Sequence, residues 1–197
     1  MQKKAGGWTQ LDESVVYENP WIKVTHENVR RPNATEGIYG VVHFKSNAVG
    51  IVPIDEAGNT WLVRQSRYTL DNFPWEIPEG GSPLGESPLS TAKRELQEEV
   101  GLAAGDWQEI MTLHLSNSVT DEVGYLFVAQ QLHQVEQSLE DTEDIEVKKL
   151  PLKEAFAMVM RGEITDALSV AALMHVAIAR PELGLLPFPP EPLTLDP

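Results

Sequence analysis

GGSPLGESPLSTAKRELQEEVGL, residues 80–102, decides how this chain is read. Ser87-Pro88 opens a helix, because proline has no N–H to lose at the first helical position and its fixed φ suits that place. Gly101 closes it, because glycine takes the left-handed conformation in which helices end. At about 100° per residue, Leu89, Ala92, Leu96 and Val100 form one stripe, and Glu95, Glu98 and Glu99 fall within an arc of about 100° beside it. The spacing therefore predicts a helix over 87–101 that buries one stripe and presents three carboxylates together. Like charges this close repel unless a cation neutralises them, and hard divalent cations take carboxylate oxygens. A glutamate-rich helix face considered alone reads more simply as solvated surface, so the surrounding sequence has to decide.

Working upstream, AVGIVPI (48–54) and TWLVRQSRY (60–68) flank the turn residues DEAGN, which predicts a hairpin buried on both faces. Before it, WIKVTHENV (21–29) alternates, RRPNATEG (30–37) supplies a turn and IYGVVHF (38–44) returns, so Val15 to Phe44 reads as a small antiparallel unit. Working downstream, DWQEIMTLHL (106–115), GYLFVAQQL (124–132) and IEVKKLPL (145–152) are strand-like and complete a mixed sheet. LKEAFAMVMRG (152–162) and TDALSVAALMHVAIAR (165–180) have helical periodicity, the second with Thr165 as N-cap. Six prolines among residues 181–197 make an extended tail. The organisation expected is a β unit over 1–44, an α/β domain over 45–180 and a proline-rich tail over 181–197.

Composition narrows the chemistry. The 197 residues are 42% hydrophobic and 23% charged, without an apolar run of 18, which disfavours a membrane span and a disordered chain. Zero cysteines exclude a disulfide scaffold, a thiolate metal site and a cysteine nucleophile. No apolar segment follows MQKKAGG to make a secretory signal, so a cytoplasmic location is the expectation. The net charge of −15 is uneven: residues 1–50 carry +1 and the remaining 147 carry −16. Such a surface repels long nucleic acid, yet it can hold a small phosphate ligand if divalent cations bridge the carboxylates to it. The five histidines, His26, His43, His114, His133 and His175, have no ligand-like spacing.

From Gly80 through Glu86 to Leu102 the spacing is G-x5-E-x7-R-E-U-x-E-E-x-G-U, with U a bulky aliphatic residue and all nine specified positions filled. This resembles the Nudix hydrolase box. The order of strands and helices over about residues 40–180 is similar as well, and the strand-rich appendage resembles the ADP-ribose pyrophosphatase branch. The fold implied is α/β, a Nudix α/β/α sandwich with a mixed sheet, plus the small N-terminal antiparallel β unit.

The resemblance implies roles residue by residue. Glu95 and Glu99 become the main magnesium ligands, Glu98 an additional one, and the backbone carbonyl of Glu79 completes the set, while Arg94 orients a box glutamate. Manganese is the other ion to consider. An acidic residue in the loop LEDTEDIEV serves as base: Glu143 is the choice and Asp141 the reserve, with an ordinary solvated loop as the plain reading. RQSRYTLDNFPWEIPEGG resembles the RQ-x-R and E-x-P-x-G elements of the branch, so Arg67 approaches the diphosphate and Glu76 organises the substrate loop. Without the resemblance, Arg67 reads as a surface ion pair and Glu76 as a structural hydrogen-bonder. Trp21 and Tyr39 stack on a base in the same scheme, or pack into a core. Glu122 matches an acidic position facing the distal sugar. One departure stands out: where ADP-ribose pyrophosphatases carry a proline, this chain has Asn117, which loosens specificity and favours the broader class of nucleoside diphosphate sugar hydrolases.

The activity implied is metal-dependent cleavage of the diphosphate of ADP-ribose or a related nucleotide sugar, giving a nucleoside monophosphate and a sugar phosphate. A non-catalytic ligand sensor of the same fold is the first alternative, but such sensors commonly lose a box glutamate and none is missing here. A housecleaning hydrolase of nucleoside triphosphates or dinucleoside polyphosphates is the second, against which the N-terminal unit and the upstream elements argue. Val15, Val16, Trp21, Ile22, Val24, Ile38, Val41, Val42 and Phe44 are too apolar for so short a unit to stand uncovered. Packing on the same chain would cover them; the resemblance implies instead a homodimer closed by a two-fold interface.

Overall fold

The structure is a computed structural model that describes residues 3–138 and 145–180. The acidic loop residues Asp141 and Glu143 and the proline-rich tail over 181–197 lie outside the described residues. The strands are β1 (Lys3–Ala5), β2 (Trp8–Glu18), β3 (Ile22–Arg30), β4 (Glu36–Phe44), β5 (Ser46–Pro53), β6 (Asn59–Arg64), β7 (Trp75–Glu76), β8 (Glu79–Pro83), β9 (Leu102–His114), β10 (Val123–Gln134) and β11 (Glu146–Pro151). The helices are α1 (Pro88–Val100), α2 (Leu152–Met160) and α3 (Ala167–Ala179), with a single 3-10 turn at Tyr68–Leu70. Among the described residues no helix is long and apolar enough to cross a membrane. The chain divides into two compact units, and the division falls within β5, β8, β9 and β10.

The first unit comprises Met1–Ala48, Gly81–Glu86 and Thr112–Gly124. Its sheet has the order β1-β2-β3-β4, antiparallel throughout, with β3 and β4 in unbroken register from Ile22↔Phe44 to Arg30↔Glu36. Strand structure thus begins well before Val15, and two register shifts in β2, between Gln10 and Asp12 and between Val15 and Tyr17, explain why its alternation is hard to read. The polar segment SNSVTDEV is pinned to β4: Val42 N–H donates to the Val119 carbonyl at 2.8 Å, and the Asp121 carboxylate accepts from Phe44 N–H at 3.0 Å and pairs with His43 at 2.6 Å. Val15, Val16, Tyr17, Trp21 and Ile38 stay exposed.

The second unit comprises Val49–Gly80, Ser87–Met111 and Tyr125–Pro197. Its core gathers Val49, Ile51, Val63, Phe127 and Ala129 from the strands around Ala92, Leu96 and Val100, so the apolar stripe of α1 is buried as expected. Pro88 stands in its first turn and Gly101 caps its end at φ 70°. The expected hairpin of β5 and β6 is not formed. The strand orders are β8-β5-β10-β9 and β11-β6-β7, so these neighbours in sequence belong to different sheets. Val49, Ile51 and Val52 of β5 and Leu62 and Val63 of β6 are fully buried, which accounts for the apolar runs; periodicity reports how many faces are buried and not which strand lies alongside. The N-cap of α3 is also corrected: Asp166, not Thr165, accepts from Ser169 N–H at 2.7 Å.

Candidate active site

In the second unit the chain runs out of β6 at Arg64, turns through residues 65–74 and returns as β7, with Val63 opposite Glu76 and Arg64 opposite Trp75. Arg67 N–H donates to the Asn72 carbonyl at 2.9 Å and closes the loop. Arg67 at its start is therefore brought to Glu76 at its end. The guanidinium grips the Glu76 carboxylate with Nε at 3.0 Å from each oxygen and Nη2 at 2.6 Å from Oε2, and Nη2 also lies 2.6 Å from Glu79 Oε1. This is a two-pronged ion pair with a buried carboxylate, the strongest geometry available to the two side chains. Nη1 has no partner among the described residues. The neighbouring Arg64 pairs instead with Glu146 at 2.6 Å and lies over the Trp75 ring.

The box helix meets this cluster through Glu79 and Gly80. Glu79 N–H donates to Glu99 Oε2 at 2.9 Å. A Cβ placed on Gly80 would stand 2.2 Å from the Glu95 carboxyl carbon, so the Glu95 carboxylate lies directly against the glycine backbone and a side chain there would displace it. Arg94 Nη1 reaches Glu95 Oε1 at 2.8 Å and Glu98 Oε2 at 2.7 Å. Glu98 is partly exposed; Glu95 and Glu99 are buried, Glu99 at 1% exposure. The arc predicted from helical geometry is present, and the segment around Gly80 covers two of its members, so the plain reading of a solvated face does not describe it. Buried carboxylates demand donors or a cation.

Asp166, at the start of α3, completes the acidic set. Ligand oxygens of Glu76, Glu79 and Asp166 lie within 4.8 Å of one another. Burial, together with the negative charges of Asp166 and Glu76, pushes the Glu79 carboxyl well above the usual carboxylate range, against the pull of Arg67. Glu79 Oε2 is buried without a hydrogen-bond partner. The group of Glu76, Glu79 and Asp166 already holds the Arg67 guanidinium; it is the box set, with the Glu95 carboxylate seated against the Gly80 backbone and donors made wholly of oxygens, that fits a hard divalent cation. Sequence reasoning valued Glu79 only for its carbonyl and missed Asp166 altogether. The signal for Asp166 was the TDALS run, in which the carboxylate stands three residues before Ser169.

Three further candidates lie in the first unit. Tyr39 bonds through its hydroxyl to the Ser118 carbonyl and meets Trp8 edge to face at 5.5 Å. Trp21 is 73% exposed, so core packing does not explain it. Glu122 is part-buried, and burial together with the charge of Asp121 raises its pKa.

Two family models match successive parts of the chain. A model of the NUDIX domain matches residues 45–172, and one of the nucleoside diphosphate sugar hydrolase N-terminal domain matches residues 8–42. An ADP-ribose pyrophosphatase of Mycobacterium tuberculosis is 37% identical over 139 residues, 69% of this chain and 66% of that protein. One of Bacillus subtilis is 30% identical over 165 residues, 83% and 89% of the two chains. A GDP-mannose pyrophosphatase of Citrobacter koseri is 33% identical over 180 residues, 85% and 94%. The crystal structure of an ADP compounds hydrolase shares the fold, with a TM-score of 0.82 at 24% identity over 93% of this chain and all of that one.

Proposed function

The chain belongs to the NUDIX family, as a pyrophosphohydrolase of nucleoside diphosphate sugars, and from that premise we propose that it cleaves the diphosphate of ADP-ribose or a close relative such as GDP-mannose. The products are a nucleoside monophosphate and a sugar phosphate. The single observation that carries this reading is the junction at Glu79 and Gly80, where two buried box glutamates meet the backbone that precedes the box.

In this reading the Glu79 carbonyl and the carboxylates of Glu95, Glu98 and Glu99 hold magnesium, or manganese in its place. When bound, such an ion makes the phosphorus more electrophilic, eases deprotonation of the attacking water and stabilises the leaving phosphate. Arg94 holds Glu95 and Glu98 in place between turns of the reaction. Arg67, locked on one edge by Glu76 and Glu79, offers its unengaged Nη1 to the substrate diphosphate as a rigid, pre-oriented donor. Glu76 thus acts on substrate through Arg67. Glu143 takes the proton from water, with Asp141 in reserve. Trp21 and Tyr39 contact the base and Glu122 the distal sugar.

Homodimerisation through residues 1–44 belongs to the same proposal, supported by the exposure of Val15, Val16, Trp21 and Ile38 on so small a unit. The cysteine-free composition suits a reducing cytoplasm. The test is Glu99→Gln, which removes one ligand charge without changing volume. Turnover should fall on the order of a thousandfold, and turnover within threefold of wild type would sink the metal assignment.

A further inference from the structure

Residues 76–79 carry the junction between the Arg67 cluster and the box helix, and each of the four is tied down by a different bond. Glu76 is held by Arg67. Pro78 accepts at its carbonyl from Ile51 N–H of β5 at 2.8 Å. Glu79 is held by Arg67 through its side chain and by Glu99 through its N–H. Ile77 is held from a distant part of the chain: its N–H donates to Ser169 Oγ of α3 at 2.9 Å, across 92 residues of sequence. Both Ile77 and Ser169 are completely buried, so no water can replace that acceptor. Ser169 is fixed in turn by Asp166, whose Oδ2 accepts the Ser169 N–H at 2.7 Å while its carboxylate faces those of Glu76 and Glu79.

We infer that the first turn of α3, through Ser169 and its cap Asp166, is a positioning element for the cation site, setting where Glu79 presents its carbonyl and where its N–H holds Glu99. The inference rests on the reading of Glu79, Glu95 and Glu99 as metal ligands. Neither residue touches the reacting atoms; both act through the 76–79 segment. If the Ile77 N–H loses its acceptor, the strand end is free to shift, and two residues later the shift reaches the peptide that supports Glu99. Outer residues that orient metal ligands typically contribute 10–100-fold in metal affinity.

The experiment compares Ser169→Ala, Asp166→Ala and Asp166→Asn with the full-length wild-type protein. It measures direct Mn2+ binding by electron paramagnetic resonance with the metal alone, the Mg2+ concentration for half-maximal hydrolysis, KM for a nucleotide sugar at saturating Mg2+, and the melt of the metal-free protein. Ser169→Ala should weaken Mn2+ binding about tenfold and raise the Mg2+ requirement in parallel, with KM within twofold of wild type. Asp166→Ala should move the same way, and Asp166→Asn should recover to within about threefold, because asparagine caps a helix nearly as well as aspartate. A lowered melt with unchanged Mn2+ affinity in Ser169→Ala would overturn the proposal, leaving only a structural role. Should that variant not fold, Asp166→Asn matching Asp166→Ala in Mn2+ loss would overturn it, since the carboxylate itself and not the cap would then be required. A wild-type protein that binds no Mn2+ would remove both this proposal and the metal reading beneath it; intact wild-type binding with unaffected variants would remove this proposal alone.

Discussion

Gly80→Ala separates the requirements of the fold from those of the site. The φ of Gly80 is not in the left-handed region, so an alanine backbone fits without strain, and the exchange by itself stabilises by about 0.4–1 kcal/mol through the unfolded chain. The new Cβ, however, would stand 2.2 Å from the Glu95 carboxyl carbon, where ordinary contact begins at 3.4 Å, a shortfall of about 1.2 Å. What must yield is the far end of a flexible side chain, so the backbone need not move, at the expense of the contacts Glu95 makes, the one with Arg94 among them. Net stability should stay within about 1 kcal/mol of wild type. The Glu95 carboxylate, displaced by more than 1 Å, no longer holds its place, and misplacement of that size costs about a hundredfold in rate. Thermal melts should therefore nearly coincide, while kcat/KM for a nucleotide sugar falls about a hundredfold and Mn2+ binding weakens with it. Melts that coincide alongside kcat/KM within threefold would refute the reasoning, because the glycine would then not be the seat of a working ligand.

Two further outcomes follow from other parts of the molecule. Burial of Asp55 works to raise its pKa, but bonds from Lys149 and Asn59 outweigh it and bring the value from 3.8 down to about 2; its stabilisation is therefore complete above pH 4 and is lost as pH falls through about 2. With Lys149 half exposed to solvent, the contribution is roughly 1–2 kcal/mol, so Asp55→Asn should lower Tm by several degrees at pH 7 and by progressively less toward pH 2, and a constant deficit across that range would be inconsistent with the shift. Sedimentation equilibrium of the full chain at micromolar concentration should give about 44 kDa, twice the 21.9 kDa chain mass, and a stable monomer would exclude the dimer.

The sequence made α1 legible because three independent signals agree there: Pro88, Gly101 and a stripe of Leu89, Ala92, Leu96 and Val100. The glutamate arc beside that stripe was equally legible from helical geometry, but its burial was not, since the segment that covers Glu95 and Glu99 precedes the helix and a helical wheel sees only its own residues. Arg67 and Glu76 could each be singled out by the family resemblance of RQSRYTLDNFPWEIPEGG; their ion pair depends on the return of β7 alongside β6, which no periodicity encodes. The pairing partners of β5 were misread for the same reason. Thr165 and Asp166 are both good caps and stand side by side, so a one-residue error there hid an acidic side chain from the site. Ser169 was out of reach: a serine in an apolar helix carries no sign of the N–H it serves 92 residues away.

The central claim is most directly tested by supplying purified protein and Mg2+ with ADP-ribose, ADP-glucose, GDP-mannose, UDP-glucose, diadenosine polyphosphates and nucleoside triphosphates, and identifying the products by chromatography. The account predicts Mg2+-dependent conversion of at least one nucleoside diphosphate sugar, ADP-ribose or GDP-mannose foremost, to a nucleoside monophosphate and a sugar phosphate, abolished by chelation. Binding of these compounds without turnover, or efficient hydrolysis confined to the triphosphates or dinucleoside polyphosphates, would contradict it.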